Sequence, residues 1–229
     1  MKVLIFGATG MVGQGVLREC LLAEDVECVL TVGRNPVANR HFKLRQLIHT
    51  RMFDYREIEE QLRGFDACFF CLGVSSAAMS EAMYTKVTYE LTMAAASVLA
   101  RLNPQLTFIY VSGTGTDSTE QGRVMWARVK GRTENALQRL PFKAVYLLRP
   151  GIIQPLHGIR SKTGLYRFLY AYTKPLLTVL RKLCPDLVLS TECVGKAMLA
   201  VVRQAPPQHI VEASDIAKLG APVHEAPGA

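Results

Sequence analysis

The chain opens on an apolar run, Val3–Leu4–Ile5–Phe6, cut short by a glycine-rich stretch. Met11–Leu22 then carries helical spacing through Val12, Val16 and Cys20. This is strand, turn, helix. A second strand fits Cys28–Val32, closed by Gly33–Arg34–Asn35–Pro36, and a third fits Gln46–His49. Ile58 and Leu62 imply a short helix before Gly64. Ala67–Leu72 is apolar on both faces, as a strand buried in a parallel sheet must be. A long helix is expected over Ser80–Arg101, a strand over Leu106–Val111, a helix over Gly122–Leu140 and a sixth strand over Ala144–Leu148. The alternation predicts an α/β fold, a doubly wound parallel sheet in the order 3-2-1-4-5-6 with right-handed crossovers.

The last third differs. Gly164–Cys184 mixes Tyr, Phe, Leu, Lys and Arg, and Pro175 breaks any helix there. Thr191–Gln204 reads as a helix capped by Thr191, His209–Glu212 as a late strand, and Ala213–Ala229 as a segment loosely ordered towards its end. The whole chain, 1–229, is expected to form one dinucleotide-binding domain, with 152–229 as a small C-terminal cap and tail.

With 229 residues, 49% of them hydrophobic, the chain can bury a core of domain size. No apolar stretch approaches the roughly 20 residues of a membrane helix, and the glycine turn interrupts the first apolar run too early for a signal-peptide core. A cytoplasmic protein is expected, with no peripheral membrane contact. The balance of 27 Lys and Arg against 19 Asp and Glu gives +8. No nucleic-acid motif accompanies it, so the charge reads as a basic surface plus a phosphate site for a small molecule. Cys68 and Cys71 have redox spacing but lie in a strand pattern, where residues three apart point to opposite faces. They read as inert thiols, and no metal is expected.

The chemistry begins at Gly7–Ala8–Thr9–Gly10–Met11–Val12–Gly13. Glycines between a strand and a helix let the backbone approach a pyrophosphate, which rests on the helix N-terminus. Gly7, Thr9, Gly10, Met11, Val12 and Gly13 are therefore candidate cofactor contacts. After the second strand an NAD-preferring site places an acid for the ribose hydroxyls; here Arg34 stands there. A guanidinium suits a 2′-phosphate, which favours NADP over NAD.

These features, with Asp54, Cys71–Leu72–Gly73, Val111–Ser112, Lys130–Gly131, Glu134 and Arg149–Pro150–Gly151, resemble the atypical or extended branch of the short-chain dehydrogenase/reductase superfamily. The likeness runs from about Met1 to Gln204, and is greatest to epimerase/dehydratase-like proteins and the Tat-interacting oxidoreductase-like group. It implies Asp54 near the adenine, Leu72 and Gly73 along the adenosine, Lys130 at the nicotinamide ribose, and Pro150, Gly151 and Ile152 beside the carboxamide. It also implies a catalytic set of Lys130 with Ser112 or Thr114.

One departure stands out. The family's active tyrosine precedes its lysine by four residues, and here that position is Trp126. An indole N–H only donates and cannot relay a proton as a phenol does. His157, Tyr166, Tyr170 and Tyr172 are further candidates, the tyrosines as replacement phenols or as packing and homodimer contacts. The expected function is an NADP-binding oxidoreductase or epimerase-like enzyme for a small carbonyl or hydroxyl compound, with a degenerate triad. The alternative is a non-catalytic protein that senses NADP(H).

Overall fold

The computed structural model describes residues 1–159 and 188–221. Seven parallel strands form the main sheet: β1 (Lys2–Phe6), β2 (Cys28–Gly33), β3 (Leu44–Ile48), β4 (Ala67–Phe70), β5 (Thr107–Val111), β6 (Ala144–Arg149) and β9 (Ile210–Glu212). Their order is β3-β2-β1-β4-β5-β6-β9. The expected six-strand order holds, and β9 extends it. A separate parallel pair joins β7 (Ile152–Gln154) to β8 (Val188–Ser190). These two strands are three residues each, too short for a periodicity to announce them.

Alternation along each strand divides the core. Val3 and Ile5 face α1 (Met11–Leu22), α5 (Thr191–Gln204) and α6 (Ala213–Leu219); Leu4 and Phe6 face a 3-10 turn (Arg56–Leu62), α3 (Leu91–Leu102) and α4 (Met125–Leu137). All four of these strand residues are fully buried, which is why the run could be apolar throughout.

Several boundaries differ from the sequence expectation. The long helix begins as α2 (Glu81–Thr85), passes through a π-helical turn (Lys86–Glu90) and resumes as α3. The inserted turn leaves the apolar spacing readable on both sides of it. Helix α4 starts at Met125, not Gly122, because the Gly122 amide donates to the Asp117 carboxylate in a preceding turn. The cap of α5 is Ser190, whose hydroxyl accepts from the Cys193 amide; Thr191 is already helical and fully buried. Ala213–Leu219 is helical, anchored by buried Ile216, and the far end of the segment, where loose order was expected, lies outside the described residues. Gly164–Cys184, with Pro175, Tyr166, Tyr170 and Tyr172, lies outside the described residues.

One buried ion pair ties the second half of the sheet together. Arg149, at the end of β6, donates from Nε and Nη2 to both carboxylate oxygens of Glu134 on α4, at 3.1 and 2.5 Å. Nη1 donates to Glu212 of β9 at 3.2 Å, and Nη2 donates also to the Ser118 hydroxyl at 2.6 Å. Glu134 is 1% exposed. Removing one partner strands the other charge, so Glu134→Ala is expected to cost about 3–5 kcal/mol in urea denaturation. A loss below about 1 kcal/mol would mean that Glu212 and solvent suffice for Arg149.

Candidate functional site

Strand order reverses between β1 and β4, and there the chain leaves both strands through special backbone. Gly7 has φ +79°, and a Cβ on it would sit 2.7 Å from the Cys71 carbonyl carbon and the Leu72 amide nitrogen. A Cβ on Gly13 would lie 2.2 Å from the Gly7 oxygen. These two glycines let β1, the end of β4 and the start of α1 crowd together. Gly10 is different. A Cβ there would meet only the Gly7 oxygen, at 3.3 Å, so its open side faces outward from the turn.

Gly10 is also the N-cap of α1, with no side-chain cap and no acid in the first turn. The first amides of a twelve-residue helix thus point out of the carboxyl edge of the sheet without an internal anion. Together with the open side of Gly10 this makes a cradle that a dinucleotide's pyrophosphate fits. Leu72 and Gly73 leave β4 beside the same turn.

Arg34 follows β2 at this edge, exposed and without an ion-pair partner among the described residues. The neighbouring loop after β3 is held by His49, whose Nε2 lies 2.7 Å from the Asp54 carbonyl and 2.9 Å from that of Arg51. The Asp54 carboxylate forks onto Arg56 at 2.9 and 2.6 Å, and that guanidinium holds its pKa well below the usual carboxylate range.

At the other end of the cleft Ser112, Thr114, Trp126, Lys130 and Pro150 converge. A Cβ on Gly131 would lie 1.7 Å from the Asp117 oxygen, so the glycine after Lys130 lets the loop following β5 lie directly on α4. Lys130 Nζ donates to the Ser112 carbonyl oxygen across that contact. The Trp126 indole, one turn earlier, lies over the same loop, its Cη2 3.7 Å from where a Gly115 Cβ would be. The Thr114 amide donates to the Pro150 carbonyl at 3.0 Å, and its hydroxyl to the Arg149 carbonyl at 3.0 Å. Gly151 and Ile152 continue from there, with Ile152 exposed.

The Ser112 hydroxyl donates to Glu134 Oε1 at 2.5 Å, with the Leu148 carbonyl 3.1 Å away, and the residue is buried. Its side chain is turned into the Glu134–Arg149 pair, while its carbonyl meets Lys130. Glu134 is the residue whose role sequence reasoning missed. A carboxylate four residues after Lys130 and three before the buried Leu137, on the inward face of a helix, was the available signal.

His157 stands apart. It has φ +54° and pairs with Glu192 at 2.8 Å beside Lys196, at a cavity of about 350 Å³ that shares no lining residue with the glycine turn or Lys130. Burial pushes the Cys71 thiol up to about 12 and raises that of Cys68 well above its ordinary value, in keeping with inert thiols. Among the described residues no cluster could hold a metal.

Burial pushes the Lys130 amine down from 10.5 to about 8, with the Glu134 carboxylate opposing the fall. Between those two pH values the unfolded chain binds more protons than the folded one, so this group's contribution to stability rises with pH across that window; below it the burial penalty is complete. NMR of ¹³C-methylated Lys130 should show titration near pH 8, and Glu134→Gln should lower the midpoint further. A midpoint in the ordinary lysine range would contradict this placement.

The model of the NAD dependent epimerase/dehydratase family matches residues 3–123. Similar proteins include mitochondrial protein FMP52 of Debaryomyces hansenii, 29% identical over 165 residues, 71% of this chain and 70% of that protein. Another is the rat protein HTATIP2, 23% identical over 231 residues, 95% and 92% of the two chains. Among solved structures, Bordetella bronchiseptica WbmF in complex with NAD+ superposes with TM-score 0.66 at 13% identity, covering 95% of this chain and 76% of that one. DesIV of Streptomyces venezuelae, a dTDP-glucose 4,6-dehydratase with NAD and TYD bound, gives 0.65 at 16%, covering 93% and 75%. At such identity these structures speak for the fold. The cytoplasmic expectation is overturned: the relatives from Debaryomyces hansenii, Scheffersomyces stipitis and Aspergillus terreus are named mitochondrial. The expectation rested on apolar-run lengths, and those do not distinguish the two compartments.

Proposed function

The chain belongs to the NAD dependent epimerase/dehydratase family, and from that premise we propose that it binds NADP(H) and acts as an oxidoreductase or epimerase-like enzyme on a small carbonyl or hydroxyl compound. The observation that carries this reading is the uncapped α1 N-terminus beside the open side of Gly10, at the point where strand order reverses. Thr9, Met11, Val12 and Gly13 complete the pyrophosphate cradle. Arg34 takes the 2′-phosphate, since it is exposed and pairs with no carboxylate among the described residues. Asp54 lies toward the adenine, Leu72 and Gly73 along the adenosine, and Pro150, Gly151 and Ile152 at the carboxamide. When bound, the nicotinamide supplies hydride transfer. The chain's own part is to orient: Lys130, held by the Ser112 carbonyl, reaches toward the ribose, and Thr114 stands beside it.

A second reading, a non-catalytic sensor of NADP(H), is favoured by one observation. Trp126 occupies the place of the phenol over the Gly115 loop, and Ser112 is committed to Glu134. Both readings share the same binding site and differ in turnover.

Trp126 is the chain's one tryptophan, so its fluorescence reports on the site. Titration should show NADPH binding tighter than NADH, and Arg34→Ala should remove about 1.5–3 kcal/mol of that preference. Equal affinities in the unaltered protein would refute the role of Arg34. Aldehydes, ketones and quinones assayed with NADPH should turn over slowly, because a positioned acid or base is worth roughly 10²–10⁴-fold. Fast reduction of several unrelated carbonyls would show another proton donor at work; tight binding with no turnover would favour the sensor.

A further inference from the structure

From Cys28 to Phe53 the chain contains no acidic residue and five basic ones, Arg34, Arg40, Lys43, Arg45 and Arg51. The fold distributes them. Arg34 follows β2 at the carboxyl edge of the sheet, and Arg51 pairs with Glu57. Arg40, Lys43 and Arg45 gather at the opposite edge, where β3 begins: Val29 is in register with Leu44, and the Val29 amide donates to the Lys43 carbonyl. β3 is the outermost strand, so this corner has no neighbour in the sheet.

Phe42 stands at that corner and is 89% exposed. Its ring stacks on His41 at 4.5 Å, and Lys43 Nζ sits 5.8 Å from its centroid. Lys43 also donates to the Ala23 carbonyl at 2.7 Å, which brings the end of α1 to the same corner with Leu22, 61% exposed. Arg40 and Arg45 are exposed and have no ion pair among the described residues. The acids at this edge are mostly engaged: Asp25 with Arg203, Glu27 with the chain's amino group, Asp66 with the Lys2 amide. Glu24 has no ion pair among the described residues.

An aromatic and an aliphatic side chain exposed together at one corner, among guanidinium groups that have no ion pair among the described residues, form a mixed apolar and cationic patch. Headgroup phosphates match the cations, and the acyl boundary takes the two apolar groups. We propose that this corner docks the protein on an anionic lipid surface, with Phe42 and Leu22 entering the interface and Arg40, Lys43 and Arg45 on the headgroups. The docking edge lies across the sheet from the glycine turn, so the cofactor cleft stays open to solvent.

The full chain should sediment with phosphatidylcholine vesicles containing phosphatidylserine, not with phosphatidylcholine alone, and added salt should release it. Phe42→Ser should abolish most of the binding. Arg40→Gln and Arg45→Gln should each weaken it roughly fivefold. All three side chains are exposed, so thermal unfolding and NADPH titration should not change, which separates this test from the cofactor reading. Failure to bind the anionic vesicles would overturn the proposal, as would binding that Phe42→Ser leaves intact. So would a gel shift with duplex DNA lost in the arginine variants, or vesicle-free self-association lost in Phe42→Ser, either of which would assign the corner to a different partner.

Discussion

Backbone meets backbone where β1 and β4 part. The chain can turn there only because Gly7 has no side chain to strike Cys71 and Leu72, and Gly13 none to strike Gly7. That contact sets the position of α1 against the sheet. It follows that the amides of Met11, Val12 and Gly13 open at the carboxyl edge, with Gly10 leaving room beside them. The anion cradle is therefore a consequence of how closely strand and helix must pack, and Arg34, one strand away, is the cation proposed to meet a 2′-phosphate.

A second close contact governs the far end of the cleft. Gly131 lets the loop after β5 rest on α4, so that Lys130 can hold the Ser112 carbonyl while Glu134 holds the Ser112 hydroxyl. Glu134 in turn is fixed by Arg149, which joins β6 to β9. The polar groups on the inward face of α4 are thus satisfied by one another, and burial of the amine is what moves Lys130 toward neutral pH. With Trp126 beside it, this end offers an indole N–H, which only donates, in keeping with the orienting role proposed for Lys130.

Much of this was legible in the chain. Met11–Leu22 was readable to the residue, because a glycine turn opened it and its apolar spacing was unbroken; β1, β2 and β6 were readable because both faces of a covered parallel sheet are apolar. Convergence of Ser112, Thr114, Lys130 and Pro150 followed from the family likeness, not from spacing, since a lysine on a helix carries no mark of what it touches. What escaped depended on tertiary contact. Ser190 rather than Thr191 caps α5 because Thr191 is needed inside, the late strand expected over His209–Glu212 joins the main sheet beside β6, and the residues after it turn helical because Ile216 reaches the core. The commitment of the Ser112 hydroxyl to Glu134 was invisible because the two are 22 residues apart.

The account turns on the α1 N-terminus as the anion site, and amide NMR of the folded chain reads that site directly. Titration with NADPH should move the ¹⁵N–¹H resonances of Met11, Val12 and Gly13 most, in the downfield sense of a donor gaining a charged acceptor. NADPH binding that leaves these three amides in place while shifting resonances elsewhere would contradict it.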